Sequence, residues 1–158
     1  MKQFFRKIAN FFKPTPKALR LAFDYYNDKD YVDAAELFTE LSEQGNDIAQ
    51  AALAYLYMEG KGVDENIPEA LRLSKLAAEQ GNRDGQFYLG LIYLRELGFG
   101  QDDSEALHWL HKAAKQGHPG IKEVLETHQK RMELCQEYDR VLENAGLKNK
   151  KNKKKKRN

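Results

Sequence analysis

The chain has little of several features that mark large protein classes, and each shortage removes one of them. A single cysteine, Cys135, excludes an intramolecular disulfide framework and any multi-cysteine metal site. No apolar run approaches the ~18–20 residues needed to span a bilayer. The first residues include Lys2, Arg6 and Lys7 but no uninterrupted apolar stretch and no small-residue cleavage site, so a secretory signal is not expected. A reducing cytoplasm is the expected compartment. No acid–base pair and no Ser/His/Asp set stands apart from the helical pattern described below, so catalytic residues, a cofactor and enzymatic activity are not expected.

Acidic residues are missing from both ends. Residues 1–20 carry six basic side chains and no acid, and residues 148–158 carry eight and no acid. The segment 21–147 holds all 24 acids and the remaining 12 of the 26 bases, a net charge of −12. An acidic body with two basic extensions is ill suited to bind duplex nucleic acid through its folded part, because that affinity rests on neutralising phosphates.

The body repeats itself. Gln44-Gly45, Gln80-Gly81 and Gln116-Gly117 recur every 36 residues, as do Ala34, Ala70 and Ala106, and Leu37, Leu73 and Trp109. Leu53 and Tyr57 return as Leu89 and Tyr93. Self-similarity at a fixed period of this length is the signature of a solenoid. Each block reads as two helices. In 68–81, Ala70, Leu73, Ala77 and Ala78 fall on one face, with Asn66 as N-cap, Pro68 in the first turn and Gly81 at a left-handed C-terminal cap. The partner helix, 82–98, carries Gly90, a residue that costs about 1 kcal/mol in mid-helix and so predicts a close helix–helix approach. Glycines 60, 62, 98 and 100 sit in the connecting loops. Trp109, at the position of Leu37 and Leu73, is expected between helices in the core.

The pattern A-L-x-W-x-x-K-A-A-x-Q-G at 106–117, with L-G-x-x-Y at 89–93 and G-K-G-V at 60–63, resembles the Sel-one-like repeat (SLR) family, a subclass of the tetratricopeptide-like superhelices. The resemblance covers roughly 31–120. It implies an all-α fold: a short right-handed α/α superhelical solenoid that serves as a protein-binding scaffold. Unit one, 16–45, is closer to a standard tetratricopeptide, with Ala22, Tyr25, Tyr31, Ala34 and Phe38 at that family's offsets. Units two and three are 46–81 and 82–117. The segment 119–143 lacks the L-G-x-x-Y pattern and reads as one long charged helix, with Ile121, Leu125, Met132, Cys135, Tyr138 and Leu142 spaced for a buried stripe. It is expected to cap the array, giving three helix pairs plus a C-terminal capping helix in a repeat domain of residues 16–146.

Three signals invite a chemical reading. His108 and His111 lie three residues apart, with His118 soon after. The first two align with Arg72 and Lys75 at solvent-facing positions, so surface histidines are expected and no metal. The GKG and GFG loops lack a following Lys-Ser/Thr and a preceding strand, which separates them from phosphate loops. Cys135 is expected to be an inert core thiol.

The family resemblance implies that the first helix of each unit lines a concave groove. Projected onto it are Leu19, Phe23 and Tyr26 in unit one, Ala51, Tyr55 and Met58 in unit two, and Phe87, Leu91 and Leu94 in unit three. They form three rows, Leu19/Ala51/Phe87, Phe23/Tyr55/Leu91 and Tyr26/Met58/Leu94. A contiguous apolar surface of this kind would take an amphipathic helix or an extended peptide.

The two extensions differ in kind. Residues 1–13 form a basic amphipathic helix in which Phe4, Phe5, Ile8, Phe11 and Phe12 share a face opposite Arg6, Lys7 and Asn10. That face must be buried on the solenoid, on an anionic membrane surface or on a partner. Lys13-Pro14-Thr15-Pro16 breaks it from the next helix. The poly-Lys tail, 147–158, is expected to be disordered and open to weak, salt-dependent contact with RNA or anionic lipid. The leading functional reading is a bacterial cytoplasmic adaptor, monomeric, that binds a protein segment in its apolar groove. Two alternatives stand beside it. One is a toxin-immunity protein that uses its acidic body; the other is a peripheral protein anchored at the inner membrane surface by residues 1–13.

Overall fold

A computed structural model describes residues 16–97 and 104–144 of the chain. The amphipathic segment with Phe4, Phe5, Ile8, Phe11 and Phe12, the glycines at 98 and 100, and the poly-Lys tail lie outside the described residues, as do the side chains of Cys135, Tyr138 and Leu142.

The described residues form seven helices and no strand: α1 (Pro16–Asn27), α2 (Tyr31–Glu43), α3 (Asp47–Glu59), α4 (Ile67–Glu79), α5 (Arg83–Leu97), α6 (Ser104–Lys115) and α7 (Ile121–Asn144). Consecutive helices pack as hairpins, and α3 additionally lies against α5. This is an all-α solenoid of three pairs, α1/α2, α3/α4 and α5/α6, followed by one long helix.

The recurring Gln-Gly pairs do two jobs in one turn. Gly45, Gly81 and Gly117 take φ of +84°, +89° and +72°, the left-handed conformation that glycine adopts without steric cost. The next residue then donates back five positions: Asn46 N–H to the Leu41 carbonyl at 3.1 Å, Asn82 to Ala77 at 3.0 Å and His118 to Ala113 at 3.1 Å. The same residue restarts the chain. Asn46 Oδ1 accepts from Ala49 N–H at 2.8 Å, and Asn82 Oδ1 accepts from Gly85 N–H at 2.8 Å. One three-residue device therefore stops a second helix and caps the next first helix. At α4, Asn66 Oδ1 accepts from Glu69 N–H at 3.1 Å and Pro68 sits in the first turn, as expected.

The glutamines tie one unit to the next. Gln80 Nε2 donates to Gln50 Oε1 at 2.7 Å, and 36 residues on Gln116 Nε2 donates to Gln86 Oε1 at 2.9 Å. Gln50 Nε2 in turn donates to the Ser42 carbonyl at 3.4 Å and Gln86 Nε2 to the Ala78 carbonyl at 3.5 Å. Gln50 and Gln86 are 4% and 5% exposed, so the relay runs through the interior.

The core is built from the period-36 alanines and their neighbours. Ala34, Ala70 and Ala106 are fully buried, with Phe38, Leu56, Leu73, Leu89, Ile92 and Leu110. Gly90 marks a close approach: a Cβ there would lie 2.6 Å from Leu110 Cγ and 3.1 Å from the Ala106 carbonyl oxygen. The equivalent pair one unit earlier is Ala54 and Ser74. Where the second helix carries the bulkier leucine, the first helix carries no Cβ.

Two expectations need correction. Trp109 is only half-buried, with Lys112 Nζ 4.4 Å from its ring centroid and His108 edge-on at 5.3 Å. The fully buried side chain of that turn is its neighbour Leu110, at the position of the equally buried Ser74 in α4. Ala106 and Ala113 match the buried Ala70 and Ala77, so the helix keeps its phase and the bulk has moved from the position of Leu73 to that of Ser74. The capping helix also buries less than its stripe implied. Ile121 is buried, and Val124 and Leu125 pack on Phe87, Leu110 and Ala113, but Met132 is exposed, as are Leu134 and Val141. Only the first turns of α7 have a helix pair beneath them.

Two expectations follow for equilibrium unfolding. Gln86→Leu keeps the volume and adds apolar surface, yet it removes the acceptor for Gln116 and the donor for Ala78. It is expected to cost about 1–3 kcal/mol. Leu110→Ala is expected to cost about 2–5 kcal/mol, and Trp109→Ala clearly less, measured in parallel urea melts.

Candidate functional site

Aromatic side chains gather where the first helices meet on the inner surface. The rings of Tyr26 on α1, Tyr55 on α3 and Tyr88 on α5 form a chain, with centroids 6.4 Å apart between Tyr26 and Tyr55 and 5.5 Å between Tyr55 and Tyr88. Tyr31 adds to it, 5.5 Å from Tyr26. These rings border a cleft of about 180 Å³ lined by Phe23, Tyr26, Ile48, Ala51, Ala52, Tyr55, Asp84 and Tyr88. Ile48 is 41% exposed at its rim.

Lys61, in the loop that follows α3, reaches into this cluster. The loop is turned back by Lys61 N–H donating to the Leu56 carbonyl at 3.0 Å, which sends the ammonium over the rings. Lys61 Nζ donates to Tyr55 Oη at 2.7 Å and stands 4.7 Å from the Tyr55 centroid and 5.8 Å from that of Tyr31. The hydrogen bond to Tyr55 holds the Lys61 ammonium above its ordinary pKa. Burial pushes the Tyr88 phenol well up, helped by Asp84 nearby, and burial together with Tyr55 raises Tyr26. At neutral pH Tyr26 and Tyr88 thus stand as uncharged phenols near a charged ammonium. Those shifts move the groups away from the range in which general acids and bases work. The arrangement favours contact over proton transfer.

A second cleft, of about 410 Å³, opens further along between α5 and α7. Leu91, Leu94 and Val124 form its apolar part, with Arg95, Glu123, Thr127, His128 and Arg131 around them. Arg95 is held by Glu65 at 2.8 Å. Helix α7 thus stands beside α5 where the first helix of a further unit would stand.

The projected groove residues divide between these features. Phe23, Tyr26, Ala51 and Tyr55 line the first cleft, although Ala51 is 2% exposed and contributes floor rather than reach. Leu91 and Leu94 line the second. Leu19 is half-buried against the first core cluster, Met58 is half-buried, and Phe87 is buried in the second cluster. The projected rows do not form as drawn. They paired Tyr55 with Phe23 and Leu91, whereas the ring contacts run from Tyr26 to Tyr55 and from Tyr55 to Tyr88. Each contact lies three residues before the equivalent position on the next first helix. The side chains that meet across neighbouring first helices are therefore not the equivalent ones, and Tyr88 was missed for this reason. Lys61, in a loop, and Ile48 and Asp84, at the starts of α3 and α5, lay outside the projected rows. The local signal for Tyr88 was its place three residues before Leu91 on the same helix face.

The histidines separate. His108 and His111 are exposed as expected. His118 is not a surface residue: its side chain is 10% exposed and stacks on Phe87 at 3.8 Å. Its Nδ1 accepts from Gly120 N–H at 3.1 Å, and its Nε2 lies 3.6 Å from Asp84 Oδ1. Among the described residues, no group of three or more His, Cys, Asp or Glu side chains could hold a metal ion, and no helix is long and apolar enough to cross a membrane.

Comparison with known proteins fits this geometry. The Sel1 repeat matches residues 47–82 and 83–118. The chain is a Sel1-repeat protein. Each matched repeat is one α/α unit that closes just after its Gln-Gly turn, at the N-cap Asn82 of α5 or at His118 in the turn before α7. Two solved structures are similar. One is a Sel1 repeat protein from Oxalobacter formigenes, at 34% identity and a TM-score of 0.59, covering 67% of this chain and 42% of that one. The other is a protective antigen present in uropathogenic Escherichia coli strains that displays an SLR fold, at 33% identity and a TM-score of 0.63, covering 73% of this chain and 26% of that one. The chain thus spans less than half the length of either. Comparison with curated proteins gave no match. Unit one, outside the matched repeats, packs as a similar helix pair with a shorter turn between its helices.

His118 gives the Sel1 array a pH dependence. Burial lowers its pKa below the ordinary value of 6.5, with Asp84 opposing and Arg83 assisting. The unfolded chain therefore binds this proton first, and stability falls as pH drops through about 6.5. His118→Asn installs the residue found at positions 46 and 82. Melting temperatures from pH 7.5 to 5.0 are expected to fall less steeply for this variant than for the wild type.

Proposed function

We propose that this Sel1-repeat chain is a protein-interaction scaffold, without catalytic chemistry of its own, that takes a peptide or helix against its inner surface. The observation that carries this reading is the tyrosine chain Tyr26–Tyr55–Tyr88, aligned across three units and bordering an open cleft with Ile48 at its rim. Tyrosines offer large, rigid contact area with a polar tip, at little cost in side-chain entropy. The second cleft continues the surface with Leu91 and Leu94, one and two turns beyond Tyr88 on α5. A ligand with one aromatic anchor and a following pair of aliphatic anchors, the spacing of an amphipathic helix, fits both clefts at once. The family supports the same reading, since stacked α/α repeats use their extended concave surfaces for binding.

The test is a selection of peptides displayed on phage against the full chain, followed by titration of the winners. Ile48→Glu and Leu94→Glu each place a charge in one cleft. Ile48 is largely exposed, so folding should be untouched. Loss of at least tenfold in affinity, about 1.4 kcal/mol, with unchanged helicity is the expected result. Peptides indifferent to both substitutions would remove the inner surface as the site.

A further inference from the structure

We infer that the inner-surface cleft of the first units is occupied in cis by the chain's own residues 3–12. The inference rests on the proposed role of that cleft and adds what fills it in the absence of a partner.

Three observations converge. The first is where apolar surface is on offer next to the start of α1. The outward side of that helix presents Lys17, Arg20 and Asp24, all exposed, with Leu21 as its one large exposed apolar residue. Its inner side presents Leu19, Phe23 and Tyr26, all half-buried, continuing into Ile48, Ala52, Tyr55 and Tyr88. A segment whose apolar residues recur at Phe4, Phe5, Ile8, Phe11 and Phe12 meets the more continuous apolar surface on the inner side; elsewhere unit one exposes Leu21 and Val32.

The second is the charge and size of the cleft. Residues 2–13 carry Lys2, Arg6, Lys7 and Lys13 and no acid. The outer side of α1 presents Lys17 and Arg20 with Asp24. The inner cleft has Asp84, paired with Arg83 at 3.0 Å, and Asp47, which opens α3 beside Ile48, with the Lys61 ammonium engaged by Tyr55. The cleft is also the size of an aromatic side chain, about 180 Å³.

The third is reach. Residues 13–15 span at most about 10 Å. Ten residues at helical rise cover about 15 Å, the same rise that separates Pro16 from Tyr26 on α1. A segment folding back beside α1 therefore brings its phenylalanines past Leu19 and Phe23 to Tyr26. A short tether holds it there at an effective concentration on the order of millimolar. A segment that binds with a Kd of about 0.1 mM in trans would then be seated about 90% of the time, and a competitor would bind roughly tenfold more weakly than to an open cleft.

The full chain carries the test. In a Cys135→Ser background, Gln3→Cys takes a nitroxide label, and amide signals of residues 23–26, 48–55 and 84–88 are expected to broaden while those of α7 do not. A second full-length variant, with Phe4, Phe5, Ile8, Phe11 and Phe12 all changed to Ser, is titrated with a synthetic peptide of residues 1–13. The peptide is expected to bind this variant about tenfold more tightly than the wild type, and adding Ile48→Glu is expected to abolish that binding. Broadening absent from the inner surface, or equal affinity for both chains, overturns the inference. So does sedimentation of the labelled wild type with phosphatidylserine vesicles when the inner surface shows no broadening, which would assign residues 3–12 to a membrane. Phage-selected peptides that bind wild type and the five-Ser variant equally, yet fail on Ile48→Glu, would sink the cis contact and leave the scaffold reading standing.

Discussion

A solenoid has no closed core, so each helix pair must be locked to the next by contacts that admit one register, and here a buried amide relay supplies them. Leucine on leucine can slide by a few tenths of an ångström with little loss; an amide with its oxygen and nitrogen both engaged inside the protein cannot. Gln80 reaches from the end of α4 to Gln50 on α3, and Gln116 reaches from the end of α6 to Gln86 on α5. Each receiving glutamine passes a hydrogen bond on to the last turn of the preceding second helix. Every unit boundary is thus tied to a backbone carbonyl on the far side. Asn82 Nδ2, donating to Asp47 Oδ2 at 2.9 Å, adds a second tie between the starts of α3 and α5.

This locking has a consequence on the inner surface. Because the relay joins the end of one unit to the start of the next, it fixes which side chains of neighbouring first helices meet. Tyr55 meets Tyr26 on one side and Tyr88 on the other. The space beside Tyr55 is bounded by Ala51 and Ala52, and an aromatic-walled cleft opens there. At the other end α7 stands beside α5 and leaves the second cleft between them. Both clefts follow from how the repeats are registered.

Much of the architecture was legible because it is local or periodic. The stop-and-restart turns at 44–46, 80–82 and 116–118, the N-cap at Asn66 and the tight approach at Gly90 all follow from residue type and spacing. What was not legible depends on how two helices sit beside each other. The recurrence of Gln44, Gln80 and Gln116 was plain, but the partners of the last two are 30 residues back, and only the packed geometry brings Gln50 and Gln86 into range. The tyrosine chain was missed for the same reason, since aligning equivalent positions assumes that equivalent side chains face each other across neighbouring helices. Trp109 misled because period 36 preserves helix phase but not side-chain size: Leu110 fills the buried position that Ser74 holds in α4, and the position of Leu73 is left half-buried. The stripe on α7 is real in spacing, but a stripe is buried only where a partner packs tightly beneath it; beyond Leu125, α5 faces α7 across the second cleft and Met132 is left exposed.

Comparing the two matched units position by position separates scaffold from site. Where both units must meet the same internal demand, the residues agree or stay in one size class: Gln50 and Gln86, Leu53 and Leu89, Leu56 and Ile92, the small pairs Ala49/Gly85 and Ala54/Gly90, all of them buried. Where the units differ, as at Ile48 against Asp84, Ala51 against Phe87, Ala52 against Tyr88, Tyr55 against Leu91 and Met58 against Leu94, eight of these ten residues line one of the two clefts. Ala51 and Phe87 are buried, and their difference answers to packing. Ile48, Asp84 and Tyr55 keep part of their surface at the first cleft, where the period-36 packing demands less of side-chain type. Under the proposed function, specificity is to be sought in these partly exposed departures from periodicity rather than in the motif residues that reveal the fold.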